Sequence, residues 1–132
     1  MRVDSDSGDF VSVVRAGKAV PSDNDILVAV EVRCRGFAGR IDTCIVRAAW
    51  SRFCDQLSRL ENGRKGVATV ESMNPKELRL SVLATRRAGQ MAIEGFLGNS
   101  GDQEETLLSF SSIFFDALLL PDFLRAAWEI AG

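Results

Sequence analysis

The chain contains no histidine and no tyrosine. Their absence removes the commonest general base, the commonest zinc ligand and the phenolic acid, and most hydrolase mechanisms go with them. A serine nucleophile can use lysine instead, but Lys18, Lys65 and Lys76 fall in loops or beside turns, where an amine stays solvated and protonated. Cysteine is scarce. Cys34, Cys44 and Cys54 are odd in number and stand ten residues apart, which fits neither a disulfide framework nor a C-x-x-C metal knuckle. They read as reduced thiols packed as small apolar groups. No run approaches the roughly 20 apolar residues that span a bilayer. The opening Met1-Arg2-Val3-Asp4-Ser5-Asp6 is polar where a signal peptide turns apolar, so a cytoplasmic protein is expected. A formal charge of −2 lacks the basic excess that a nucleic-acid backbone demands. The expected partners therefore include no nucleic acid, no membrane and no cofactor.

What is present suits one globular domain. At 132 residues with 46% apolar and 26% charged residues, the chain can bury a real core but not two. Residues 1–9, rich in Ser, Asp and Gly, read as a disordered tail, and residues 10–132 as a single α+β domain. Phe10 to Ala16 reads as a short strand, followed by a loop from Gly17 to Asp25 around Pro21.

From Ile26 the apolar residues recur with period two. Ile26, Val28, Val30, Val32 and Cys34 share one face, and Glu31, Arg33 and Arg35 the other, as in a half-buried strand. Gly36-Phe37-Ala38-Gly39 suits a four-residue hairpin loop. That loop pairs Cys34 with Ile41, Val32 with Thr43 and Val30 with Ile45, and sets Arg33 opposite Asp42. Ala48 to Glu61 switches to helical spacing, with Trp50, Phe53, Cys54, Leu57 and Leu60 on one stripe and Gly63 as the left-handed stop. No Ser, Thr, Asp or Asn stands before Ala48 to cap the start.

Three strands follow, Gly66 to Met73, Glu77 to Thr85 and Gln90 to Leu97, arranged as a meander. Setting Thr85 against Gln90 matches Val82 with Ile93 and Leu78 with Leu97. Setting Met73 against Glu77 matches Val70 with Leu80, and places Glu71 opposite Arg79 outside. Gly98 to Glu105 reads as a mobile acidic loop and Thr106 to Phe115 as a last strand, whose phase slips at Ser111-Ser112 as a bulge would produce. Pro121 opens a final helix with Asp122 in its first turn and Leu120, Phe123, Leu124, Ala127 and Ile130 on its buried stripe. The expected fold is α+β: a mostly antiparallel sheet of six to seven strands in two hairpin units, one helix after the third strand, and a C-terminal helix on one face.

Two carboxylates suffice for glycoside hydrolysis, so carboxylate pairs are the remaining catalytic candidates. In the expected registers Asp42 and Glu71 each face an arginine, while Glu31 and Glu94 face Cys44 and Ser81 and stay unpaired. The glycine-rich stretch Gly95 to Gly101 lacks the spacing of a phosphate loop, and Arg86-Arg87 reads as a solvated turn. The outer face offers more. There Leu27, Leu83 and Phe96 share parity with Glu31, Arg33, Arg35, Arg79 and Glu94, and large apolar groups ringed by arginine and glutamate are the composition of a protein-binding surface. Glu31, Arg33, Arg35, Arg79, Leu83, Glu94 and Phe96 are the candidate contact residues. A covering loop, the N-terminal strand or a second copy of the chain is the competing explanation for the apolar members.

Five segments carry a family resemblance: V-x-V-x-C-x-G-F-A-G from Val30 to Gly39, W-x-x-F-x-x-x-L from Trp50 to Leu57, S-M-N-P-K-E-L-R-L from Ser72 to Leu80, G-Q-M-A-I-E-G from Gly89 to Gly95, and the closing L-P-D-F-L. In this layout Ile26 to Ala131 resembles the WapI-type immunity proteins, small bacterial proteins that neutralise a cognate polymorphic or contact-delivered toxin. The resemblance implies a non-catalytic, stoichiometric inhibitor with no catalytic residues to transfer and a contact surface that varies with the toxin. Two other readings stay open: a small-ligand-binding domain or weak carboxylate enzyme using Glu31 and Glu94, and a homodimeric structural module.

Overall fold

Period-two alternation sets most of the architecture. The computed structural model describes residues 1–16, 25–100 and 105–132. Strands β1 (Arg2–Asp4), β2 (Phe10–Arg15), β3 (Asp25–Cys34) and β4 (Phe37–Val46) form one antiparallel sheet in that order. Helix α1 (Arg47–Gly63) leads to a second antiparallel sheet, β5 (Val67–Glu71), β6 (Leu78–Ala84), β7 (Gln90–Ser100) and β8 (Glu105–Asp116). A 3-10 turn, Ala117–Leu119, runs into helix α2 (Leu120–Ala131).

The α+β class and the antiparallel pairing agree with expectation, and the sheet count does not. Two four-stranded sheets replace the single sheet of six to seven strands, and the first helix follows the fourth strand rather than the third. The extra strand is β1, inside the tail expected to lack structure, where Val3 pairs with Val11 and is buried. Three residues carry too little periodicity to announce a strand. The loop expected from Gly17 lies, as far as residue 24, outside the described residues.

Val28, Val30 and Val32 of β3, Leu80 and Val82 of β6, Ile93 of β7, Trp50, Phe53 and Leu57 of α1 and Phe123 and Ala127 of α2 belong to one core. The inner faces of both sheets thus pack into the same interior. Both meander registers are as expected: Val82 opposite Ile93, Leu78 opposite Leu97, Val70 opposite Leu80 and Glu71 opposite Arg79. A one-residue slip would turn Leu78, Leu80 and Val82 outward at about 1.5–3 kcal/mol each, which locks the register.

The first hairpin differs. Its turn is the two-residue pair Arg35 and Gly36, with φ of 52° and 84°, so Cys34 faces Phe37 instead of Ile41 and Arg33 faces Ala38 instead of Asp42. Positive φ at both central residues is the requirement of a type I′ turn, and the Asp9 carboxylate accepts from the Arg35 N–H at 3.1 Å. Gly39 is not a turn residue. It faces inward on β4, where a Cβ would lie 2.8 Å from Cδ2 of Leu108, so its bareness lets the sheets approach. The shift of register is by four residues, an even number, so each side chain keeps its face.

Helix α1 buries the expected stripe, Trp50, Phe53, Cys54, Leu57 and Leu60. Val46 stands at its N-cap without a side-chain hydrogen bond, and its left-handed end residue is Arg64, φ 55°, not Gly63. The Trp50 indole N–H donates to the Ala127 carbonyl at 2.8 Å and ties α1 to α2. The Gln56 side-chain oxygen accepts from the Thr69 N–H at 2.9 Å, covering the open edge of β5. Gly98 to Ser100 of β7 and Glu105 of β8 extend the pairing into the segment expected to be a loop. The slip at Ser111-Ser112 is a bulge: Ile93 pairs with Ile113 and Gly95 with Phe110, so two residues oppose Glu94, and Ser112 takes φ 64°.

Candidate partner-binding face

Where the inner faces of two sheets share a core, alternation leaves each sheet an outer face pointing away from the other. That of the β5–β8 sheet is ordered in rows across its strands. Val67, Leu83, Ala92 and Phe114 form an apolar row, Thr69, Ser81 and Glu94 a polar one, and Glu71, Arg79, Phe96 and Ser109 a third. Val67 is 53% exposed and Phe114 42%, and Leu107, past Phe96 on the edge strand, is 61% exposed. A groove of about 270 Å³ lies at this end of the face between Pro75, Phe96, Gly98 and Leu107. Gly98 permits the close approach of the β5–β6 turn, since a Cβ would stand 2.2 Å from the Lys76 carbonyl oxygen. Thr69 and Ser81 hydroxyls bond each other at 2.9 Å, and Arg79 Nε stands 3.8 Å from Glu71 Oε1.

The outer face of the first sheet has a different character. Arg2, Ser12, Glu31 and Arg40 make one row and Asp4, Phe10, Arg33 and Ala38 the next. Arg2 binds the Asp4 carboxylate at 2.9 Å and lies 4.1 Å above the Phe10 ring. The hydrogen bond to Asp4 raises the guanidinium pKa further above its ordinary value. On this face Arg2 is ion-paired with Asp4, and Glu31 stands opposite Arg40.

The seven candidate contact residues are therefore divided. Arg79, Leu83, Glu94 and Phe96 come together on the outer face of the second sheet, Glu31 and Arg33 lie on that of the first with Leu27, and Arg35 sits in the hairpin turn. Leu27, Leu83 and Phe96 are half-buried, and the charged members are exposed. Two expected pairs change with the hairpin register: Glu31 faces Arg40 rather than Cys44, and Asp42 faces Ala29 rather than Arg33. Glu31 and Glu94 occupy outer faces of different sheets and share no cleft. Val67, Leu107 and Phe114 were missed. Carrying the inward–outward alternation of β7 across the bulge to β8 would have placed Leu107 and Phe114 outside, and Val67 shares parity with Glu71.

Among the described residues no three His, Cys, Asp or Glu side chains are grouped to hold a metal ion, and no helix is long and apolar enough to cross a membrane. Two thiols are inward, with Cys54 fully buried and Cys34 donating to the Ser111 carbonyl at 3.6 Å, while Cys44, opposite Leu27 on the outer face, is half-buried. A family model described as the immunity protein WapI-like family matches residues 2–130. The chain belongs to the WapI-like immunity protein family. The match includes β1 and β2, which precede the segment whose motifs carried the resemblance. In this WapI-like chain those motifs are framework: the β3–β4 turn, the buried stripe of α1, the β5–β6 turn, the start of β7 and the first turn of α2. No curated protein and no solved structure matches.

Proposed function

We propose that this chain is a stoichiometric, non-catalytic inhibitor that neutralises a cognate toxin in the cytoplasm by binding it through the outer face of the β5–β8 sheet. The observation that carries the reading is the face itself. An apolar row from Val67 to Phe114, exposed at both ends, and an apolar groove around Phe96 and Leu107 lie on either side of the polar row that holds Glu94. Apolar anchors interleaved with a few charges, on strands held rigid by a shared core, are what a tight protein interface needs. Membership in an immunity protein family supplies the class of partner. Inhibition then works by occlusion and requires one copy of this chain per toxin.

The test is co-expression with the toxin encoded at the same locus, followed by light scattering of the purified mixture. Restored growth together with an equimolar complex supports the reading. Continued toxicity with no complex overturns it. A homodimer of this chain alone that Phe96→Glu dissolves would assign the face to a second copy, and would also overturn it.

A further inference from the structure

The middle of the same face carries a more specific signal. A depression of about 350 Å³ is walled by Arg79, Ser81, Glu94, Gly95, Phe96 and Phe110. Arg79 has the Glu71 carboxylate beside it at 3.8 Å. Glu94 is exposed and makes no ion pair or hydrogen bond among the described residues, which leaves it the uncompensated charge of the depression. Across the ladder the bulge sets Ser111 and Ser112 of β8 against Glu94. The non-glycine φ of 64° at Ser112 is a conformation that costs energy, of the kind that collects at binding sites.

Resting on the reading of this face as the toxin-binding surface, we propose that the depression receives an arginine side chain of the partner protein, anchored by the Glu94 carboxylate. A guanidinium can take both oxygens of a carboxylate while its flat face lies against an aromatic ring, and Glu94 and Phe96 are offered side by side for both contacts. Ser81, only 7% exposed, also lines the depression, and its hydroxyl can accept a further N–H. A lysine would satisfy the charge but neither the fork nor the stack.

The test measures affinity for the toxin of the co-expression experiment with wild type, Glu94→Gln, Glu94→Lys and Phe96→Leu, each first checked for an unchanged thermal transition. Glu94→Gln is expected to weaken binding at least tenfold, mostly through faster dissociation, and Glu94→Lys by more. Phe96→Leu keeps an apolar wall but removes the ring face, and is expected to cost roughly threefold to tenfold. Wild-type affinity in Glu94→Lys overturns the arginine pocket while leaving the toxin-binding reading intact. Tighter binding by Glu94→Lys would assign the depression to an acidic group of the partner and overturns the proposal equally. A wild-type protein that does not bind the toxin removes the functional reading, and this inference with it.

Discussion

The main-chain oxygen of Arg79 stands where Gly95 would carry its Cβ, 1.8 Å from that position. Strands β6 and β7 can lie this close at the bulge only because residue 95 has no side chain. Arg79, Glu94 and Phe96, which line the depression, sit immediately around this contact. The geometry of the binding face thus depends on a backbone approach beneath it.

Gly95→Ala must push the strands apart against backbone atoms, so a loss of about 2–3 kcal/mol in urea unfolding is expected. Gly36→Ala meets open space and pays only for its positive φ of 84°, about 1 kcal/mol. Equal costs would show that the close approach is relaxed in solution.

The Thr43 hydroxyl, on β4, donates to Glu77 Oε2 at 2.6 Å and joins the first sheet to the β5–β6 turn. Thr43 is 3% exposed, so Glu77→Ala strands a buried hydroxyl and should cost about 1–3 kcal/mol. Thr43→Val in that background removes the stranded group and should recover part of the loss in denaturant midpoint. No recovery would mean that Glu77 acts through another contact.

Burial pushes the Cys54 thiol up to about 11, and the Asp55 carboxylate adds to the effect. The folded state then holds a proton that the unfolded chain releases near 9.0, so this group lowers stability as pH rises from 9 toward 11 and not below. Cys54→Ala should flatten that part of the stability profile. At neutral pH a thiol reagent should label the half-buried Cys44 first, with Cys34 and Cys54 following only on unfolding. Labelling of Cys54 in the folded protein would contradict its placement.

Trp50 is fully buried and Trp128 is 43% exposed. Acrylamide should therefore quench only part of the native fluorescence, and Trp128→Phe should remove the accessible part. Trp50→Phe leaves the Ala127 carbonyl without its indole donor and should cost on the order of 1–3 kcal/mol. Full quenching of the native protein would show that α1 and α2 separate.

The two meander hairpins and the α1 stripe were legible because strict periodicity fixes them: slipping either hairpin buries Arg79 or Glu94. The β3–β4 turn was not legible. Arg35 at φ 52° has no local signature, since the Asp9 carboxylate that serves it comes from the distant β1–β2 connection, and Gly36 and Gly39 look alike in sequence although one makes the turn and the other admits Leu108. The division into two sheets was hidden for a related reason. Every pairing within β1–β4 and within β5–β8 is local, and nothing local says that β4 and β5 do not pair. Hence Arg33 and Phe96 shared a parity on paper and lie on separate surfaces. Phe114 and Leu107 required the phase to be carried across the Ser111–Ser112 bulge.

The most direct test compares charge placed on the two outer faces. Phe96→Glu alters the β5–β8 face and Arg33→Glu the β1–β4 face, and both positions are at least partly open to solvent, so both variants should fold. In growth rescue and in affinity for the toxin, Phe96→Glu is predicted to lose protection and weaken binding at least a hundredfold, with Arg33→Glu within a few-fold of wild type. Full protection by Phe96→Glu together with loss in Arg33→Glu would contradict the account and move the binding surface to the first sheet.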